Sequence, residues 1–296
     1  MFNSKNRQAF SLVELSVVII IIGILIAGIS TGIDLYSDFK ISTARNLTRN
    51  SVVPRINDLA LWFESVGEGV FINQNNSPNI KDNENVRTWR SVGLQGFSQM
   101  DIGQGNASLS PKYVKNGINS LPSLEFNSTN NNMRMVGTLP NIFKLESTIF
   151  VVLNSTSLNA SINQSYIFTI YGNLMSFDSF ISSNNASSHL YNGAIRDHVV
   201  ASIQYRKPFI YRKIYNSALN SSTAHINGIL RGSATAGFSG FYGSNPTVSF
   251  VLGNHGTASR TFGGHFAEII IYNRALNEKE VESIEDYLKK KWAIQS

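Results

Sequence analysis

The sequence predicts a mainly β protein: a long N-terminal α-helix, transmembrane and then amphipathic, an antiparallel β-sandwich, and a short closing C-terminal helix. Three observations carry that prediction. From Val17 to Ile29 the chain contains only Val, Ile, Leu, Ala and Gly. Between Pro54 and Tyr272, short β-branched and aromatic runs alternate with Gly, Asn, Ser and Pro, as in antiparallel β-proteins. After Asn277 an apolar stripe returns at helical spacing.

The window Phe10–Ile33 is long enough to cross a bilayer, which takes about 20 apolar residues at a rise of about 1.5 Å each. Its one ionisable group is Glu14. A carboxylate at that depth costs several kcal/mol unless it meets a cation, so its default reading is functional. A cleaved secretory signal would use Lys5 and Arg7 as its basic start and Ala27-Gly28-Ile29-Ser30 as its cleavage site, but it leaves Glu14 without a reason. Lys5 and Arg7 before the span, against Asp34 and Asp38 after it, orient the bulk of the chain outward. The helical pattern continues to about Asn50 through Leu35, Tyr36, Phe39, Ala44 and Leu47. Gly23, Gly28 and Gly32 would allow close helix contact within the membrane. Pro54 ends or kinks the helix.

The clearest strands expected are Leu59–Phe63, Val86–Trp89, Leu124–Phe126, Thr148–Leu153, Tyr166–Tyr171, Val199–Tyr205, Phe209–Tyr215, Thr223–Ile229, Val248–Leu252 and Phe266–Tyr272. So many strands without intervening helices predict a sandwich. In the closing helix Asn277 and Glu280 form a capping box, and Val281, Ile284, Leu288 and Trp292 share one face. Lys289-Lys290-Lys291 complement the helix dipole, and Glu278, Glu280, Glu282, Glu285 and Asp286 form a solvated side. Trp62, Trp89 and Trp292 are read as core residues rather than sugar platforms. There is no cysteine, so the exported part relies on its core alone. The net charge of +6 is too modest to argue for nucleic acid by itself.

Tyr205 to Tyr215 interleaves basic and aromatic residues. Strand alternation places Tyr205, Lys207, Phe209, Tyr211 and Lys213 on one face, which could stack on a glycan or on bases while meeting anionic groups. The plainer alternative is a hairpin with its aromatics in the core and its charges guarding an edge.

Two family resemblances follow from these residues. The order Lys5, Arg7, Ala9, then Phe10-Ser11-Leu12-Val13-Glu14 and the apolar helix resembles the class III signal of type IV prepilins and type II secretion pseudopilins. The resemblance implies a leader at 1–9, cleavage by prepilin peptidase between Ala9 and Phe10, N-methylation of Phe10, and a retained helix at 10–53 with residues 10–33 in the inner membrane. Glu14 would then neutralise the new amine of a neighbouring subunit during filament assembly. Ala9 stands where the family nearly always has Gly.

Residues 54–296 resemble a LamG-like jelly roll of the concanavalin A-like lectin/glucanase superfamily. The matching segments are Leu59–Phe63, Val86–Ser91, Pro111–Phe126, His225–Gly228 and, most strongly, Phe262–Leu276 with the final helix. Arg90 and Asn127 replace acids of the family pattern, which bears on any Ca2+ site; no other cofactor is expected.

The superfamily includes glycoside hydrolases, but no expected strand carries acids at alternate positions, and Glu268 is followed on its face by Ile270 and Tyr272. The five histidines lack metal-ligand spacing, and there is no Gly-x-Ser-x-Gly. The expectation is a non-enzyme: a pilin-like subunit, minor or at the tip, presenting a lectin-like sandwich to a glycan or another surface. A type II secretion pseudopilin and a DNA-uptake pilin are the alternatives, with glycan favoured over DNA.

Overall fold

The computed structural model describes residues 12–92, 100–130, 132–140, 146–157, 164–172, 175–182, 185–191, 195–203, 206–216, 218–235, 247–255 and 260–295. The chain divides into two compact units between Thr43 and Ala44.

Helix α1 runs Leu12–Arg49, ending where the pattern predicts. Its Leu12–Ile29 window has a mean hydropathy of 2.9 and none of it is buried within the chain. An added Cβ at Gly23, Gly28 or Gly32 would meet nothing, so that surface is open to a neighbour outside the chain. Pro54 lies in a short 3-10 turn at Val53–Arg55, where its missing N–H costs little.

The second unit is an antiparallel β-sandwich. Its first strands are β1 (Leu59–Glu64), β2 (Phe71–Asn73), β3 (Val86–Trp89), β4 (Ile102–Gly103), β5 (Lys112–Ile118) and β6 (Leu121–Phe126). Then come β7 (Met135–Pro140), β8 (Ser147–Ser157), β9 (Gln164–Gly172), β10 (Met175–Ser182), β11 (Asn185–Tyr191) and β12 (Ile195–Ser202). The last are β13 (Phe209–Asn216), β14 (Ser221–Ile226), β15 (Ile229–Thr235), β16 (Thr247–Leu252) and β17 (Gly263–Tyr272), followed by α2 (Glu278–Trp292). One sheet has the order β15-β14-β13-β8-β17-β6-β5, with β1 also pairing with β17. The other has the order β12-β11-β10-β9-β16-β7-β4-β3-β2.

The core lies between the sheets. Phe63, Trp89, Phe126, Ile149, Val151, Phe168, Phe250, Phe266 and Ile269 are buried there. The intervening residues Phe150, Val152 and Ile270 are equally buried, because α2 covers the back of the first sheet with Ile284, Leu288 and Trp292. The capping box forms as expected: Glu280 N donates to Asn277 Oδ1 (3.1 Å) and Asn277 N donates to Glu280 Oε2 (3.0 Å).

Three sequence expectations are corrected. The expected strand Thr223–Ile229 is split by a turn at Asn227-Gly228, whose φ values of 53° and 90° suit a two-residue hairpin. Strands β10 and β11 are rich in Ser and Asn and show little local β signal; pairing with their neighbours, β9 and β12, makes them strands. Glu285 and Lys291 are not solvated: both are buried, each beside an opposite charge.

Candidate functional site

At the N-terminus, Glu14 lies in the first turn of α1 and is surrounded along the helix by exposed Leu12, Val13, Leu15 and Val17. Ala9 and Phe10 lie outside the described residues, as does Tyr205.

Of the basic and aromatic strip, Phe209, Tyr211 and Lys213 are brought onto one face as alternation predicts, but that face is interior. Phe209 and Tyr211 belong to the sandwich core, and Lys213 is fully buried with its ammonium 4.7 Å from the Tyr215 ring centre. The physical reason is that both faces of the sheet at β13 are covered: Phe209 and Tyr211 face the core between the sheets, and Arg212, on the other side, meets Glu285 of α2. Tyr211 and Lys213 therefore offer no surface to a glycan or to DNA. Lys207 is exposed in the loop before β13.

Lys207 belongs to a cleft of about 400 Å3 instead. Two tight turns build its sides. Asn119, at φ 49° between β5 and β6, donates from Nδ2 to Trp292 O (2.6 Å) and ties down the C-terminal segment, where Ile294 also lines the cleft. Asn227 accepts Ile210 N on its Oδ1 (2.9 Å), and makes no other side-chain hydrogen bond among the described residues. Arg231 stands at the bulge of β15, where Ala224 pairs with Gly232 and His225 with Leu230, leaving Arg231 without a cross-strand partner. A bulge of this kind re-aims a side chain out of the regular ladder. Phe209 and Ile226 supply apolar lining, and among the described residues the lining includes no Asp or Glu. Asn227-Gly228 was expected inside the strand Thr223–Ile229 rather than as a turn, and Arg231 carried no signal in the sequence.

The polar cluster beneath α2 is built differently. Glu268 accepts Trp62 Nε1 (2.8 Å) and Tyr287 OH (2.8 Å) on Oε1, and Trp292 Nε1 (2.7 Å) and Lys291 Nζ (2.8 Å) on Oε2. Lys291 also reaches Glu64 Oε2 at 3.0 Å, which in turn accepts Val66 N at 3.0 Å. Glu64 and Glu268 are each 1% exposed, so no substrate reaches them. The arrangement fastens α2 to β1 and β17.

Among the described residues no three His, Asp or Glu side chains gather to hold a metal ion. Asn127, at one of the two departures from the acidic pattern, accepts Thr129 N (3.0 Å) and Thr129 Oγ1 (2.8 Å) and fixes a turn. Arg90, at the other, sits 4.0 Å from Asp101.

Residues 4–30 match the family model described as the prokaryotic N-terminal methylation motif. Nothing among curated proteins matches the chain. Among solved structures, a botulinum neurotoxin type C structure, described with cell entry dependent upon interaction with two ganglioside molecules, is 14% identical with a TM-score of 0.56, over 80% of this chain and 53% of that one. A mutant of HCR/D is 13% identical with a TM-score of 0.53, over 78% of this chain and 52% of that one. The carbohydrate-binding module CBM40 of Ruminococcus gnavus IT-sialidase is 18% identical with a TM-score of 0.40, over 49% of this chain and 84% of that one. This chain thus spans about half the length of the first two. The protein carries a type IV prepilin methylation motif at its N-terminus, ahead of a β-sandwich similar in fold to the botulinum neurotoxin type C and HCR/D structures.

Proposed function

We propose that this chain is a type IV pilin-like filament subunit, minor or at the tip, that displays its β-sandwich for adhesion or surface recognition and has no catalytic activity of its own. The observation that carries this reading is Glu14: the single acid of the exposed apolar window Leu12–Ile29, lying within the methylation motif. Cleavage between Ala9 and Phe10 would release an α-amine. Glu14 of an adjacent subunit would neutralise that amine once both are buried in the filament, where either charge alone is costly. Before assembly the helix would hold the subunit in the bacterial inner membrane, with the sandwich on the outer side.

Glu14→Leu tests the reading: subunits should reach the membrane and be processed, yet fail to enter filaments. Normal incorporation would overturn it. The methylation motif and apolar helix suit a type II secretion pseudopilin equally, and a deletion strain separates the two: loss of adherence supports the pilus role, whereas loss of secretion supports the pseudopilus. DNA uptake has weaker support, since Tyr211 and Lys213, which prompted it, are buried.

A further inference from the structure

We propose that the cleft between Lys207 and Arg231 binds the carboxylate of an acidic saccharide. The inference rests on the adhesive reading for the ligand being a sugar, and deepens it by naming the site and its chemistry.

Four observations combine. Lys207 and Arg231 line one concave site, are exposed, and form no ion pair among the described residues. Most surface cations are scattered over convex surface and solvated; a concave wall with two cations and, among the described residues, no Asp or Glu concentrates positive potential where an anion can enter. The bulge in β15 takes Arg231 out of the ladder, and a guanidinium fork can hold a carboxylate through two parallel hydrogen bonds. Asn227 has its Oδ1 fixed by Ile210 N, which leaves its NH2 group as an oriented donor for a hydroxyl or carboxylate oxygen. Phe209, Ile226 and Ile229 line the same cleft, and Ile229 is 44% exposed. A sugar ring with one C–H face and a polar, acidic edge matches that division into apolar lining and cationic rim.

The test uses the full mature chain in non-ionic detergent, titrated calorimetrically with sialyllactose, with a disaccharide ending in glucuronic acid, and with lactose. Binding of at least one acidic sugar about tenfold tighter than lactose is expected. Its affinity should fall about tenfold in Lys207→Ala and again in Arg231→Ala, as for loss of a charge-assisted hydrogen bond, and should weaken with added salt. The two acidic probes distinguish a sialic from a uronic acid. Both side chains are exposed and unpaired among the described residues, so folding should survive, with near-ultraviolet circular dichroism as the check. Ile229→Trp, which fills the cleft without changing charge, should also abolish binding.

Equal affinity for lactose overturns the proposal. Acidic-sugar binding that survives the Lys207→Ala/Arg231→Ala double variant overturns this site while leaving adhesion through another surface. Failure of all three saccharides to bind overturns the site and the saccharide reading together.

Discussion

Lys291 Nζ lies 2.8 Å from Glu268 Oε2, and both side chains are fully buried. Burial alone would push the Lys291 ammonium down, but Glu268 and Glu64 outweigh it and hold the lysine above its usual range. Four hydrogen bonds fill the acceptor sites of Glu268, two of them from Trp62 and Trp292. This contact joins the last turn of α2 to the strand at the centre of the first sheet.

Removing the lysine strands two buried carboxylates. Lys291→Met should cost about 3–5 kcal/mol of unfolding free energy. Neighbouring Lys290→Met, on the exposed side of α2, should change it by less than about 0.5 kcal/mol. Urea titrations followed by tryptophan fluorescence report both.

Arg212 Nη1 meets Glu285 Oε1 at 2.6 Å, with each side chain 7% exposed. Burial pushes the Arg212 guanidinium down and the Glu285 carboxyl up, each countered by its partner. Arg212→Leu alone should destabilise by about 3–5 kcal/mol, whereas Arg212→Leu with Glu285→Leu should recover most of that loss. A double-mutant cycle in urea measures the difference; a double variant no better than the single refutes it.

His225 faces Arg212 across β14 and β13. Burial, aided by Arg212, pushes its imidazole down to about 4. The unfolded chain takes up a proton near pH 6.5 and the folded one only near 4, so stability is complete above pH 6.5 and falls as pH drops between those values. Discounted for the solvent that still reaches the ring, the loss is about 1–2 kcal/mol. His225→Gln should flatten this part of the profile, as read by urea midpoints at pH 7 and pH 5.

Gly253 has φ +77°, and a Cβ there would overlap the Phe126 ring. Gly253→Ala combines a left-handed backbone cost with displacement of a core aromatic, together about 2–4 kcal/mol. A thermal melt should show Tm lowered by several degrees.

Processing gives the last prediction. Mass spectrometry of the mature protein should show a methylated Phe10 at its start. Ala9→Gly should raise the processed fraction, and Ala9→Leu should block it. A mature start after Ala27 would make the helix a discarded signal.

Much of the architecture was legible because it rests on local rules. An unbroken apolar run fixes α1, Asn277 and Glu280 cap α2, and β-branched clusters mark β8, β9 and β17. The Ser- and Asn-rich strands β10 and β11 escaped because their pairing depends on neighbours rather than on their own composition. The basic strip was legible as a pattern but not as a surface. Lys213 and Lys207 look alike in the chain, but Lys213 lies on the core-facing side of β13 and is buried, whereas Lys207 lies in the loop before that strand and is exposed.

By itself the sequence determined the apolar N-terminal helix, the methylation motif, the position of Glu14 and the antiparallel β character of the domain that follows, since each is set by composition or spacing within a few residues. The tertiary structure alone decided which charges are buried, that Lys291 belongs to Glu268 and Arg212 to Glu285, and that Lys207, Asn227 and Arg231 share one cleft. Apart from Asn227 and Arg231, which one hairpin brings together, those groups lie some twenty or more residues apart in the chain, and the energy of bringing them together comes from the packing of whole sheets against each other and against α2.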